Sequence, residues 1–304
     1  FEEGFYQFIN RHINIYINAT PSMIKQIDIM KIKSLEIIVC SGESLNIELL
    51  KKIKCYYQKS FYNGYGPTEC TITSSIKRIL NKDNYINSIG NKINNYAFYV
   101  LNKNKNLLPI GSIGELYIGG IGVARGYLNR PELTAERFLP NPFQTDEEKK
   151  EGKNSRIYKT GDLVRLLENG ELEYLGRNDF QVKIRGLRIE LGEIENVLSS
   201  YKGIKQCVVL AKDNHQSTDD NKSSSKYLCG YYVVESNEDD INEESIKEYM
   251  KLKLPDYMIP NHFIRIDKLP ITINGKLDTK ALPDVDFLSI SNESKYVAPR
   301  NEIE

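Results

Sequence analysis

The chain has 304 residues, and its 41 lysines and arginines are matched by 41 aspartates and glutamates, so no net field draws it toward nucleic acid or an anionic membrane surface. Five cysteines without a C-x-x-C pair and three scattered histidines argue against a zinc site, and free thiols fit a reducing compartment, the cytoplasm. The longest apolar stretch, Tyr227–Val234, is short and contains Gly230, so neither a signal peptide nor a membrane span is indicated.

Residues 13–17 alternate toward a strand. The turn Asn18–Ser22 follows, and Pro21 is placed to start a helix over Ser22–Ile29. Leu35–Cys40 is a short apolar run of the kind buried in parallel sheets. Ser41-Gly42-Glu43 turns into a helix whose Leu49, Ile53 and Tyr57 share a face, and Lys59–Tyr62 is the next strand. This order predicts a doubly wound α/β layer.

From Ile93 to Leu175 the texture changes. Tyr96–Leu101, Gly114–Ile118, Leu163–Leu166 and Gly170–Tyr174 are short strands between Gly, Pro and Asn turns, expected to form an antiparallel, barrel-like unit, with Gln144–Asn154 as a solvated loop. Beyond Gly176, Phe180–Ile189 reads as a hairpin turning at Arg185-Gly186. Leu191–Leu198 is an amphipathic helix, Cys207–Ala211 and Tyr227–Val234 are strands, and Ile246, Tyr249 and Met250 mark another helix. The fold expected is therefore α/β plus a β-barrel subdomain, followed by a small α+β domain. The expected boundaries are 1–178, 179–288, and a linker over 289–304. Phe1 and Glu304 both read as cuts within a longer polypeptide.

Five stretches carry residues suited to chemistry. Asn63-Gly64-Tyr65-Gly66-Pro67-Thr68-Glu69 gathers a ring, two glycines, a proline, a hydroxyl and a carboxylate. Glycine lets backbone approach closely, a ring can stack on a base, a hydroxyl can donate to phosphate, and a carboxylate can hold Mg²⁺. On its own the run also reads as a Gly-Pro turn after a strand. Gly114–Gly120, continuing through Val123–Tyr127 to Pro131, Thr134, Arg137 and Phe138, reads as a glycine-rich corner. Tyr158-Lys159-Thr160-Gly161-Asp162 places an acid after a Thr-Gly turn, where it can accept from a ribose diol or simply cap the turn. Gly176–Glu195 is a charged hairpin leading into a helix. Leu269–Asp278 contains Asn274-Gly275, a tight turn that can project Lys276.

In this order, and over essentially the whole chain, these stretches resemble the motifs of amino-acid adenylation domains of nonribosomal peptide synthetases, members of the acyl-adenylate-forming superfamily. The tail Ala298–Glu304 resembles the lead-in to a carrier-protein domain. The resemblance implies an enzyme that joins an amino acid to ATP·Mg²⁺, releases pyrophosphate, and passes the aminoacyl group to a phosphopantetheine thiol on a carrier domain after Glu304. It implies that residues 1–178 belong to the large AMP-binding domain and that 179–288 form its lid.

By motif position, Tyr65 would stack on adenine beside Gly64, Thr68 would contact the α-phosphate, and Glu69 would ligate Mg²⁺. Asp162 would bind the ribose hydroxyls with help from Arg177. Lys276 would bridge the substrate carboxylate and the nucleotide. Asp179 would be the hinge of the lid, whose second pose brings the Lys183–Gly186 hairpin to the site. Asn18, Ile38, Cys40, Gly64 and Ile72 resemble side-chain-selecting positions. None is charged, which favours an amino acid with a neutral side chain.

The Ser/Thr/Gly-rich phosphate loop of the family does not occur in the chain, nor does the acid that anchors the substrate amino group. A C-terminal portion of an adenylation domain, incomplete as an enzyme on its own, is the resulting expectation. An acyl- or aryl-CoA ligase of the same superfamily and a non-catalytic nucleotide-binding protein are the alternatives.

Overall fold

The computed structural model describes residues 3–45, 49–51, 53, 60–80, 87–213, 226–235, 241–272 and 277–285. The chain divides into two compact units, Phe1–Arg188 and Ile189–Glu304.

The first unit opens with helix α1 (Glu3–Ile9), strand β1 (Ile15–Ala19) and helix α2 (Pro21–Gln26). The side chain of Thr20 caps α2 by accepting from the Met23 amide, and Pro21 occupies the first turn, where its missing N–H costs nothing. The run over β2 (Leu35–Ser41) pairs in parallel with β1 on one side and β3 (Ser60–Tyr65) on the other. Ile38 and Cys40 are fully buried there, in one core with Ile24, Leu49, Ile53 and Phe61. Residues 49–51 and 53 are helical, with Leu49 and Ile53 inward as the spacing predicts, while Tyr57 lies outside the described residues.

The sheet then turns antiparallel through β4 (Ser75–Ile79), β5 (Ser88–Lys92), β6 (Tyr96–Leu101), β7 (Ile113–Gly120), β8 (Phe138–Pro140), β9 (Arg156–Leu166) and β10 (Leu172–Arg177). Its order is β1-β2-β3-β4-β5-β10-β9-β7-β6, with β8 on β9. The α/β layer and the antiparallel strands are thus one mixed sheet. Among the described residues the pairings form an open path, and none closes the antiparallel strands into a barrel. Helix α3 (Pro131–Arg137) precedes β8, and the expected loop 144–154 contains a short helix, α4 (Asp146–Lys150). Thr145 and Glu148 close a reciprocal capping box on α4, which is why so charged a stretch is helical at all.

One strand comes out longer than its sequence suggests. β9 begins at Arg156, so Thr160-Gly161-Asp162 is an irregularity inside a strand rather than a turn. Gly161 has φ +77°, the left-handed backbone that glycine accepts. β11 (Gln181–Ile184) and β12 (Leu187–Glu190) form the expected hairpin, with Arg185 and Gly186 both at positive φ, as a two-residue turn demands. The division after Arg188 falls beyond the expected boundary at Asn178. Arg177–Asp179 and Arg188–Glu69 bonds tie this hairpin to the first unit.

The second unit is α+β. β13 (Ile204–Asp213) and β14 (Lys226–Val234) pair antiparallel, and β15 (His262–Arg265) adds in parallel. Helix α5 (Leu191–Ser199) buries Leu191, Ile194 and Leu198, and α6 (Glu243–Lys251) buries Ile246 and Met250. Gly230 in β14 has no room for a side chain to spare: a Cβ would stand 3.1 Å from the Phe263 ring.

Candidate functional site

β3 delivers the Asn63–Glu69 run to the edge of the parallel strands. Tyr65 ends the strand opposite Ser75 of β4. Gly66 then passes so close to the returning chain that a Cβ would lie 2.4 Å from the Ile72 carbonyl oxygen and 2.7 Å from the Ser74 amide nitrogen. Its glycine is therefore required by the fold itself. Pro67, in extended backbone, leads into a 3-10 turn over Thr68–Cys70, which leaves Thr68 exposed and Glu69 buried.

Four of the predicted residues meet in one hydrogen-bonded cluster. The Tyr65 hydroxyl donates to Asp162 Oδ2 at 2.5 Å. Arg177, opposite Asp162 in the β9–β10 register, donates from Nη1 to Asp162 Oδ1 at 2.7 Å and from Nη2 to the Thr160 carbonyl at 2.9 Å. The same guanidinium grips Asp179 through Nε and Nη2, at 2.6 and 2.7 Å. This two-point geometry is one that lysine cannot reproduce. Burial pushes the Asp162 carboxyl up, against the opposing pull of Arg177 and the Tyr65 hydroxyl. Asp179 goes the other way: burial is outweighed by Arg177, and its carboxyl is held below the usual range.

Glu69 anchors a second cluster. Its Oε1 accepts from the Tyr127 hydroxyl at 2.6 Å, and that hydroxyl lies 3.4 Å from the Tyr158 hydroxyl. Arg188, on β12, places Nη1 2.8 Å from both Oε1 and Oε2. Burial works to raise the Glu69 carboxyl, but Tyr127 and Arg188 outweigh it and hold the carboxyl below its ordinary value. Neither Tyr127 nor Arg188 was singled out for this role in the sequence; nothing in a charged hairpin names its distant partner. As arranged, the carboxylate does not fit a metal ion, because the guanidinium occupies the space between its two oxygens.

Lys183 on β11 is exposed and within electrostatic reach of Asp162 and Glu69. Gly186, at the hairpin turn, abuts α2's cap: a Cβ there would lie 2.6 Å from Thr20 Cγ2. Lys276 falls outside the described residues.

The expected side-chain-selecting set splits between the two faces of the sheet. Ile38 and Cys40 point into the apolar core, fully buried. In the register Asn18 lies opposite Val39, and Ser41 opposite Gly64. Ser41 Oγ bonds Asn18 Oδ1 at 3.0 Å, and a Cβ on Gly64 would lie 3.3 Å from Val39 and 3.5 Å from Ser41. The residues gathered with Asn18 and Gly64 are thus Val39 and Ser41, one position along from those expected. Side chains alternate with period two, so a slip of one residue moves the whole set to the other face. Ile72 is exposed and in left-handed backbone, φ +67°.

The chain matches the AMP-binding enzyme family over residues 3–128 and the AMP-binding enzyme C-terminal domain over residues 193–276. It is 48% identical over 308 residues to N-(5-amino-5-carboxypentanoyl)-L-cysteinyl-D-valine synthase of Penicillium rubens, covering 100% of this chain and 8% of that protein. The chain therefore spans less than a tenth of that relative's length. A solved four-domain nonribosomal peptide synthetase bound to AMP and glycine is 38% identical, covering 98% of this chain and 21% of that one, with a TM-score of 0.51. A solved synthetase protein containing adenylation and PCP domains, bound to a vinylsulfonamide inhibitor, is 25% identical, with 88% and 44% coverage and a TM-score of 0.71.

Proposed function

We propose that this chain, which matches the AMP-binding enzyme family over residues 3–128 and the AMP-binding enzyme C-terminal domain over residues 193–276, carries the nucleotide side of an amino-acid-activating site in a nonribosomal peptide synthetase. The reaction is attack by an amino-acid carboxylate oxygen on the α-phosphorus of ATP, with pyrophosphate leaving. The aminoacyl group then passes from AMP to a phosphopantetheine thiol on a carrier domain.

The observation that carries this reading is the meeting of Tyr65 and Asp162, 97 positions apart, in one hydrogen-bonded cluster with Arg177 and Asp179. A half-buried aromatic ring beside a carboxylate suits a nucleoside: the ring face for the base, and Asp162 to accept from the ribose diol in exchange for the Tyr65 hydroxyl. Arg177 positions that carboxylate and keeps it paired. Thr68, exposed on the 3-10 turn, is placed to donate to phosphate. Lys276 is assigned to the substrate carboxylate by motif position alone. Asp179, held to Arg177 at the root of the hairpin, is the pivot at which residues beyond it would swing as a lid.

The face made by Asn18, Val39, Ser41 and Gly64 would meet the amino-acid side chain. It is uncharged and small, which suits a neutral side chain, since a buried charge there would lack a partner. Of its polar members, Ser41 donates from its hydroxyl to Asn18 Oδ1.

The test is ATP–pyrophosphate exchange by the protein that carries this chain, over a panel of amino acids. Exchange dependent on a neutral amino acid is expected. Loss of that dependence, with thioester formation from free carboxylic acids and coenzyme A instead, would replace this reading by that of an acyl-CoA ligase.

A further inference from the structure

The glycine-rich corner after β7, Gly120–Gly126, is stitched to the turn that carries Glu69. Three successive residues of that turn are bonded to it or to the tyrosine packed against it. The Ala124 amide donates to the Glu69 carbonyl at 2.8 Å. The Tyr96 hydroxyl donates to the Cys70 carbonyl at 2.7 Å. The Thr71 hydroxyl donates to the Gly122 carbonyl at 2.8 Å. A Cβ on Gly122 would collide with the Tyr96 hydroxyl, so only glycine lets the corner come this near. Arg156 fixes the corner in turn, donating to the Arg125 and Ala124 carbonyls at 2.6 and 3.0 Å.

What these bonds hold is strained. Thr71 and Ile72 both stand in left-handed backbone, at φ +56° and +67°, a conformation that β-branched residues avoid. The Thr73 amide closes a tight turn on the Thr71 carbonyl at 2.8 Å, and the Ser74 amide brings the chain back to the Tyr65 carbonyl at 2.8 Å. The Ile72 carbonyl is packed on Gly66, next to Tyr65. The outcome is an isoleucine 67% exposed, from which the core gains nothing. Strain of this kind collects where a ligand is met.

We propose that Thr71 is a positioning residue for amino-acid selection: its hydroxyl, tied to the Gly122 carbonyl, keeps the Thr71–Ile72 backbone left-handed and so sets how far the Ile72 side chain reaches toward the amino-acid side chain. The glycine-rich corner is the fixed support of that wall. The inference rests on the reading of the site as amino-acid-activating, with Ile72 among its selecting residues.

The experiment is ATP–pyrophosphate exchange by the full protein that carries this chain, as wild type, Thr71→Val, Thr71→Gly and Thr71→Ser, over amino acids of graded side-chain size. Equilibrium binding of AMP is measured alongside. Thr71→Val keeps the shape and loses the hydroxyl. Thr71→Gly also loses it but accepts left-handed backbone freely, so it removes the tether without adding strain. Both should raise the KM for the preferred amino acid about tenfold, the discrimination that a methylene contact carries. Both should keep kcat and the KM for ATP at wild-type values, as loss of ground-state contact does, and both should flatten the preference across the panel. Thr71→Ser keeps the hydroxyl and should restore the wild-type KM. AMP affinity should stay unchanged throughout, since β3 and β9 hold Tyr65 and Asp162. A merely structural Thr71 would instead slow exchange with every amino acid alike. Wild-type KM and preference in both Thr71→Val and Thr71→Gly, or an equal loss across the panel, overturn the proposal and leave the activation reading intact. Wild-type exchange that ignores the amino acid overturns the activation reading and the proposal with it.

Discussion

Asp162 and Glu69 are each held by an arginine and a tyrosine hydroxyl, yet the two clusters are built differently. Arg177 sits in register opposite Asp162 on the neighbouring strand and two residues from Asp179. The sheet itself delivers that guanidinium. Arg188 reaches Glu69 from a two-stranded hairpin 119 positions away, and backbone pairing between β12 and β3 plays no part. Arg177 is also the more enclosed, with 13% of its side chain exposed against 34% for Arg188. The first pair is thus fixed by sheet register, and the second by a side chain reaching from a separate two-stranded hairpin. That contrast fits the proposal that the first cluster faces a nucleoside.

The largest effect should come from breaking the pair fixed by register. Arg177→Ala leaves a buried Asp162 and a half-buried Asp179 without their shared cation, and should destabilise the first unit by about 3 kcal/mol, as removal of one partner from a buried pair does. Urea unfolding measures it; a loss under about 1 kcal/mol would mean that Asp162 simply takes up a proton. Gly66→Ala comes next. Its Cβ would collide with backbone at Ile72 and Ser74, which cannot rotate away, at a cost of about 2 kcal/mol in the same assay.

Arg188→Ala should cost less, about 1 kcal/mol once solvent screening of a guanidinium one-third exposed is allowed for. Its pH dependence separates the clusters further. Glu69 is depressed below its ordinary value of 4.5, so the stabilisation it draws from Arg188 and Tyr127 is fully present above that value. It is lost as the pH falls through the lower folded value. The stability gap between wild type and Arg188→Ala should therefore be steady near neutrality and close in acid. A gap that persists at the lowest pH would show that Arg188 acts by packing rather than charge. The smallest change is Ile38→Val, expected to cost about 0.5 kcal/mol from the core with no change in amino-acid preference. Val39→Leu, on the opposite face, should change preference with little effect on stability; the two substitutions compared in exchange assays test which face meets the substrate.

Much of this was legible in the chain. The apolar run at Leu35–Cys40 is legible as a parallel strand whose Leu35, Ile38 and Cys40 are buried, and Arg185-Gly186 as a hairpin turn because the backbone there needs positive φ. The residues of the Asp162 cluster could be named from their motifs. What could not be read was pairing over distance. Strands β4 and β5 carry mixed polar residues without clean alternation, and they are strands because β3 and β10 offer them edges. Gly161 looks like a turn in sequence but is a kink inside β9. Which members of Ile37-Ile38-Val39-Cys40 face the core was not legible either, since an apolar run does not say so; Ile38 and Cys40 turn out to be the buried ones. Arg188 had no local signal at all, as its partner lies across the fold.

The reading of the Tyr65–Asp162 cluster as a nucleoside site is probed most simply by equilibrium binding of AMP to the wild-type chain and to Asp162→Asn. Asn keeps the shape and loses the charged acceptor, so AMP affinity should fall about tenfold, the equivalent of one charge-assisted hydrogen bond. Equal affinity for the two proteins would place the nucleoside elsewhere.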